Sequence, residues 1–328
     1  MYYIVKRLAF YLVAAFVALT VNFFIPRLTP GDPASTVVAT YSTSMNAESL
    51  AALKAAYGLT DEPLLQQYFD YLGNIFHGDF GRSLSQFPAP VLSVIGAGFG
   101  WSALLGLTSV ILSFVIGSGL GALAAWRRGG FFDRVTPPVL LFLGSFPYFF
   151  LALLLFYLFC FRLGWFPMGN AYSSVDPPPF TLDGIGDVIS HLFMPAFTIV
   201  LVSLGPWTLN MRNAMIGVLS EDYLTLAEAK GLSPRRVLLQ HAVRTALLPN
   251  VTALGAAIGG VFSGQLLTEI VFTYPGLGYE LMRAVGAVDY PLMQALFLII
   301  TLSVLVANFL VDTLYVLLDP RVRTGGEA

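Results

Sequence analysis

Side chains able to do covalent or proton-transfer chemistry are sparse in this sequence, and their spacing argues against most of that chemistry. The chain has three histidines and one cysteine among 328 residues. His77, His191 and His241 fall at the edges of apolar stretches or between them. Ser263, followed by Gly264, is the one tempting buried nucleophile, yet a nucleophilic serine needs a base such as histidine within hydrogen-bond reach. Cys160 stands alone in an apolar run, so it can build neither a disulfide nor a thiolate metal site and fits a small buried hydrophobe. No Gly-x-x-x-x-Gly-Lys-Ser/Thr loop is present to cradle phosphates. Gly117, Gly119 and Gly121 imitate a nucleotide motif, but close helix packing explains them better, as it does Gly255 with Gly259 and Gly260 with Gly264.

What remains is ionic chemistry. The polar stretch Glu221 to Arg236 interrupts an oily chain. Asp222 or its neighbour can cap a short helix that carries Tyr223, Ala227, Glu228, Ala229 and Lys230, and Gly231 supplies a turn position. Ser233 and Pro234 restart a helix that runs to about Leu247. The pattern predicts helix, sharp turn, helix, held out in water, with Glu228, Lys230, Arg235 and Arg236 on it as either ionic contacts or a solvated charged face. The alternative is an amphipathic loop packed beneath its own bundle. Elsewhere, Glu269 precedes the turn from Phe272 to Gly278 at the end of an apolar stretch, where a carboxylate is costly unless paired or wetted. Arg283 or a partner chain could pair with it; the alternative is a simple interfacial position. Asp312 reads as a structural partner for a neighbouring helix, and neither acid suggests a proton relay.

The elements that must position these residues are membrane spans. The chain is 56% hydrophobic and 11% charged, against about a quarter charged for soluble domains. Six stretches approach the roughly 20 residues needed to cross about 30 Å of hydrocarbon as helix: 8 to 26, 101 to 125, 137 to 161, 192 to 211, 251 to 272 and 291 to 318. The first is too long for a secretory signal and lacks a small-residue cleavage site, so it is read as retained. Of the Lys and Arg residues, twelve fall in one set of connecting segments and five in the other; the positive-inside rule then puts both termini and residues 212 to 250 in the cytoplasm. The fold expected is an all-α polytopic membrane protein. Residues 1–27 form the first helix, 28–100 an extracytoplasmic insertion, 101–320 a five-helix core and 321–328 a cytoplasmic tail. The insertion predicts two short helices, one begun by Asn46 and ending before Gly58, the other capped by Asp61 with Pro63 in its first turn. Leu64, Leu65, Tyr68, Phe69, Leu72 and Phe76 recur on the second at helical spacing, a face for a partner, for lipid headgroups or for the protein's own outer helices. Trp165 and Phe166 read as interface aromatics. A net charge of -2 with no basic run gives no sign of nucleic-acid binding.

The polar loop resembles the cytoplasmic coupling loop of inner-membrane permeases of binding-protein-dependent ABC importers. Leu28-Thr29-Pro30-Gly31-Asp32-Pro33, Tyr57-Gly58-Leu59, Gly78-Asp79-Phe80-Gly81-Arg82-Ser83-Leu84 and Val271-Phe272-Thr273-Tyr274-Pro275-Gly276-Leu277-Gly278 are similar, in the same order, to the B-type subunit of the peptide, nickel and oligosaccharide permease family. The loop departs from the broad importer pattern of Glu-Ala-Ala six residues before a glycine, since Thr225-Leu226-Ala227 stands there. The resemblance implies a type I importer permease fold with six transmembrane helices in a prokaryotic inner membrane. It also implies a second, homologous permease subunit, two cytoplasmic ATP-binding subunits and an extracytoplasmic substrate-binding protein. ATP and Mg would bind the ATPases, with no cofactor or metal on this chain. Asp222, Tyr223, Ala227, Glu228, Ala229, Lys230, Gly231, Ser233, Pro234, Arg235 and Arg236 would then couple to the ATPases, and Glu269, Pro275, Gly276, Gly278 and Arg283 would form an outer gate or binding-protein contact.

Rival classes are discriminated by what spans would carry. A secondary transporter commonly places ionisable groups at the bilayer midplane and shows internal repeats, and neither is found in the sequence. A stand-alone channel would need no ATPase. Cargo stays open between peptides and cello- or manno-oligosaccharides; nickel is disfavoured because no His, Cys or Met cluster lines a span. Phe146, Tyr148, Trp165, Tyr172 and Trp207 could stack on sugar rings or serve as packing and belt residues.

Overall fold

The computed structural model describes residues 2–28, 63–174 and 181–318, and these are helices joined by turns, with no strand among them. α1 (Tyr2–Leu28) and α2 (Leu64–Phe76) precede α3 (Val91–Trp126) and α4 (Phe131–Gly144). After Ser145, Phe146 and Pro147 the chain turns by 95° into α5 (Tyr148–Leu155), continued by a π-helical stretch to Arg162. The turn falls where helix is least favoured, at the residue before a proline. α6 (Leu182–Leu219) follows, then α7 (Asp222–Ala229), α8 (Pro234–Arg236), a π turn Val237–Ala242 and α9 (Val243–Ala246). α10 (Leu248–Gly259), α11 (Val261–Gly264), α12 (Leu266–Val271) and α13 (Leu277–Gly286) lead to α14 (Tyr290–Leu318).

Among the described residues, four helices are long and apolar enough to cross a membrane, or five if α4 and α5 count as one bent span. The stretch 251 to 272, expected as one span, is instead three short helices. Its breaks fall beside Gly259 and Gly260 and again at Gly264 and Gln265, where glycine weakens the helix most. α6 has 38 residues, about 57 Å at 1.5 Å per residue, so it overshoots the hydrocarbon instead of stopping at 192 and 211. α3 likewise starts at Val91, ten residues before the stretch read from hydropathy.

Small residues set the helix crossings. A Cβ on Gly117 would meet the Trp207 side chain and one on Gly121 the Thr208 carbonyl oxygen of α6; Gly119 faces open space, so only two of the three glycines are packing devices. At the α4–α6 crossing, Gly144 and Gly205 each lie where a Cβ would come within 2.9 Å of a backbone carbonyl oxygen. Gly259 sits where a Cβ would be 3.4 Å from Ala307 of α14, whereas Gly255 has nothing nearby.

α1 is held to α14 by Asp312, which accepts from Tyr11 Oη at 2.8 Å and pairs with Arg7 at 2.9 Å. The expected structural role of Asp312 is therefore observed. Phe10, Leu12, Val13, Phe16 and Val17 on the rest of α1 are exposed, as a surface bathed by acyl chains would be.

Candidate functional site

Two sites emerge at opposite ends of the bundle. The first is the helix, turn and helix of residues 222 to 246. α7 is two-sided: Leu224 and Ala227 are buried against Ala122 and Ala125 of α3, Met211 and Met215 of α6, and Val237, Ala242 and Ala246 behind the turn. Asp222, Tyr223, Leu226, Glu228, Ala229 and Lys230 are exposed. The apolar side thus seats the helix on the bundle and leaves a mixed polar and apolar surface outward.

The turn after α7 is a Schellman motif. The Gly231 N–H donates to the Glu228 carbonyl at 2.8 Å and the Leu232 N–H to the Ala227 carbonyl at 3.3 Å, with Gly231 at φ 77°. This left-handed backbone is the one glycine adopts without steric cost. Glu221, the neighbour of Asp222, takes the N-cap position of α7, but its side chain makes no cap hydrogen bond. Ser233 precedes α8 at the expected place, but its hydroxyl makes no cap bond either; Pro234 at the first helical position starts the helix by its fixed φ. Among the described residues, Glu228, Lys230, Arg235 and Arg236 form no ion pair, although Arg236 Nε donates to Gln240 Oε1 at 3.0 Å. Their charges point into solvent, together with Tyr223 and Leu226, which are 40% and 55% exposed.

Next to this platform an ion pair ties α4 to α6. Arg212 Nε donates to Asp133 Oδ1 and Arg212 Nη2 to Oδ2 at 3.1 Å, while the Gly129 N–H also donates to Asp133 Oδ2 at 2.9 Å. Sequence spacing does not single out Asp133, although Arg212 and the neighbouring arginines 127, 128 and 134 mark the same membrane face. Because the Asp133 side chain is 5% exposed, Asp133→Ala strands both the guanidinium and the Gly129 N–H. The expected loss is about 2–3 kcal/mol of stability, measurable by thermal unfolding of the detergent-purified protein. Reversing the pair, Asp133→Arg with Arg212→Asp, recovers only part of it, because the Gly129 N–H would then face a cation.

The second site gathers two of the sequence motifs around α13. Glu269 is 1% exposed, and Arg283 does not reach it. Instead Glu269 Oε1 accepts from Ser102 Oγ at 2.6 Å, and Oε2 accepts from the Gly278 N–H at 2.7 Å and the Tyr279 N–H at 3.4 Å. Those amides belong to the first turn of α13, so a carboxylate from the preceding helix supplies the N-cap that Gly276 lacks. Ser102 Oγ also accepts from the Leu277 N–H at 2.8 Å, and Gln265 Nε2 donates to the Ser102 carbonyl at 2.6 Å. A Cβ on Gly276 would overlap the Glu269 carboxyl group, and one on Gly278 would come within 2.7 Å of Leu266 Cα. The glycines are there to let the carboxylate approach the backbone. Pro275, immediately before Gly276, is half-buried.

Arg283 pairs with Glu280 at 3.3 Å, and Glu280 also accepts from Gln86 Nε2 at 2.8 Å. Through Gln86 the loop of the Gly78 to Leu84 motif reaches α13. The same loop is fastened to Asp289, which is fully buried and accepts from Ser83 Oγ at 2.6 Å and from the Ser85 N–H and Oγ at 2.9 Å each, besides the Leu292 N–H of α14 at 3.2 Å. Ser102 and Asp289 are members of this hydrogen-bonded cluster that sequence reasoning misses. A signal for Asp289 exists: an acid two residues before Pro291 is a helix-start pattern. Ser102 gives none, being one small residue in an apolar run. On the other side, Trp101 contacts the rings of Tyr172 and Tyr274, Phe166 stacks on Phe193, and Gly169 sits where a Cβ would strike Thr273.

Residues 117–324 match the family described as the inner membrane component of binding-protein-dependent transport systems, and residues 1–101 match the N-terminal part of such membrane components. The di/tripeptide transport system permease protein of Pseudomonas aeruginosa is 36% identical over 336 residues, covering 98% of each chain. The dipeptide transport system permease protein of Lactococcus lactis is 33% identical over 321 residues, covering 98% of this chain and 99% of that one. The corresponding dipeptide permease protein of Escherichia coli is 32% identical over 338 residues, with 98% of each covered.

Proposed function

This chain belongs to the inner-membrane components of binding-protein-dependent transport systems, and from that premise we propose that it forms half of the translocation path of an ATP-driven importer of di- or short oligopeptides. The peptide cargo rests on similarity along 98% of the chain to the permease proteins named for di- and tripeptide transport. An oligosaccharide cargo has less support, since Trp207 packs on Phe114 and Tyr172 on Trp101.

In this reading the chain crosses the inner membrane six times with both termini inside, the broken stretch 248 to 271 making the fifth crossing. It pairs with a second permease, two ATPases and an extracytoplasmic binding protein, and hydrolyses nothing itself. The observation that carries the coupling role is the two-sided α7, seated by Leu224 and Ala227 and offering Tyr223, Leu226, Glu228 and Lys230 outward. ATP closes the ATPases, α7 moves with them, and the bundle rocks to open towards the binding protein. A ligand shifts such an equilibrium only through differential affinity for its two states, so ATP and the loaded binding protein both favour the outward form. At the outer end, Glu269, Pro275, Gly276, Gly278 and Arg283 fix α13 as a rigid element of the gate, with Met282 and Arg283 exposed for the binding protein.

A strain lacking its own peptide permeases and carrying this chain with its partner subunits grows on a dipeptide as its source of a required amino acid, and deletion of this chain stops that growth. Growth restored on cello-oligosaccharides but not on dipeptides would reassign the cargo. The sidedness is tested by labelling. Cys160 is buried, so an impermeant thiol reagent applied to whole cells modifies Asp79→Cys and leaves Thr225→Cys unmodified; the opposite pattern overturns the topology.

A further inference from the structure

The exposed flank of α2 is unaccounted for by the transport mechanism. Placed at 100° per residue, the apolar side chains of α2 form one broad arc, and the structure divides it in two. The first half packs inward at its tyrosines, with Leu64 at the helix start left 58% exposed: Tyr68 Oη bonds Thr20 Oγ1 at 2.7 Å, Tyr71 Oη accepts from Asn22 Nδ2 at 3.3 Å, and both tyrosine rings rest on Phe23 of α1. The second half is left bare: Leu65, Phe69 and Phe76 are 68%, 61% and 82% exposed. Gln66, Asp70 and Asn74 occupy the opposite, also exposed, face.

We propose that α2 is an interfacial anchor that lies in the plane of the membrane and inserts Leu65, Phe69 and Phe76 into the acyl region of the leaflet opposite Arg7. Three observations support lipid as the occupant. The bare flank adjoins a surface that must already meet acyl chains, because Phe16, Val17, Val21 and Phe24 of α1 are exposed beside the Phe23 contact. The level is right: Thr20 and Phe23 stand roughly 20–24 Å along α1 from Arg7 at about 1.5 Å per residue, just inside the far edge of a hydrocarbon layer about 30 Å thick. The two-sided pattern is right as well, since Leu and Phe on one face and polar side chains on the other are what a helix parallel to the interface presents, although Gln66, Asp70 and Asn74 replace the Lys and Arg common on such polar faces. Tyr68 and Tyr71 then sit at the depth where tyrosine rings are enriched. The consequence is mechanical: α2 braces the outer end of α1 against the bilayer, so that the segment before it and the loop after it start from a fixed height.

The inference rests on α1 crossing the bilayer and is independent of cargo. The test uses the complete importer in lipid nanodiscs, with nitroxide labels on single cysteines replacing Leu65, Phe69 and Phe76, then Gln66, Asp70 and Asn74, and with Val13→Cys on α1 as the reference for lipid exposure. Accessibility to molecular oxygen, which concentrates in acyl chains, is compared with that to a water-soluble nickel complex. The expected result is an oxygen-to-nickel ratio several-fold higher at 65, 69 and 76 than at 66, 70 and 74, close to that of position 13. High nickel access at 65, 69 and 76 would place the flank in water, and low access to both reagents would place it under protein; either overturns the proposal. A watery position 13 would overturn the span reading of α1 itself.

Discussion

Gly231→Val abolishes uptake while the binding protein keeps its full affinity for cargo. The reason is conformational. Gly231 has φ 77° and nothing within 4 Å of where a Cβ would lie, so a Cβ meets no neighbour and its cost comes from the backbone. An L-residue in the left-handed region costs roughly 1–2 kcal/mol, and a β-branched one stands at the severe end. Valine therefore pulls φ back to negative values, breaks the bonds from the Gly231 and Leu232 amides, and redirects the chain into α8. α7 then no longer presents Tyr223 and Leu226 at a fixed angle, and ATP hydrolysis is uncoupled from transport. Gly231→Asn is the control: asparagine tolerates the left-handed conformation, so this variant keeps most of the activity. Measured uptake with ATPase activity in the same membranes separates the cases. Normal transport by the valine variant would remove the coupling role from this turn.

Glu269→Ala has the largest expected effect on stability. The substitution strips the acceptor from Ser102 Oγ and from the Gly278 and Tyr279 amides in a site that is closed to solvent, at about 1–3 kcal/mol for each buried group left unpaired. It also opens a cavity beneath the first turn of α13. Glu269→Gln is milder, because the amide keeps one acceptor oxygen but turns its NH2 towards a donor. The order expected for the midpoint of thermal unfolding is wild type, then glutamine, then alanine, with Gly276→Ala also low because its Cβ needs the space the carboxyl group fills. A wild-type midpoint for Glu269→Ala would mean that the carboxylate does not hold α13.

Both effects depend on features that are unequally legible in the sequence. The Gly231 turn is readable because it is local: a helix ending at glycine, followed by Ser233 and Pro234, carries its signal within a few residues. The length and placement of α1 and α14 are readable to within about one or two turns, because hydropathy and helix coincide there. Hydropathy misplaces the ends of α6 and α3, whose polar and small-residue termini remain helical beyond the apolar stretch. The stretch 251 to 272 misleads because hydropathy counts Gly259, Gly260 and Gly264 as neutral, whereas the backbone breaks at them. For Glu269, pairing with Arg283 and a simple interfacial position both fail, for a different reason. A carboxylate can be satisfied by backbone amides and a hydroxyl as well as by a cation, and neither leaves a charge pattern in the sequence. Asp133 with Arg212 and Asp289 with Ser83 join residues far apart in the chain, so no local rule connects them. The expected helix begun by Asn46, the cap at Asp61 and the motifs 29–33 and 57–59 lie outside the described residues.

If this chain conducts peptide only as part of an ATP-driven machine, the decisive measurement is accumulation of a labelled dipeptide in proteoliposomes. These contain this chain, its partner permease and the two ATPases, with binding protein and ATP supplied from their proper sides. The predicted result is uptake that requires ATP, the binding protein and the intact Gly231 turn together. Equal uptake without ATP, driven by an ion gradient or by the dipeptide gradient alone, would contradict it and return the chain to the class of secondary transporters or channels.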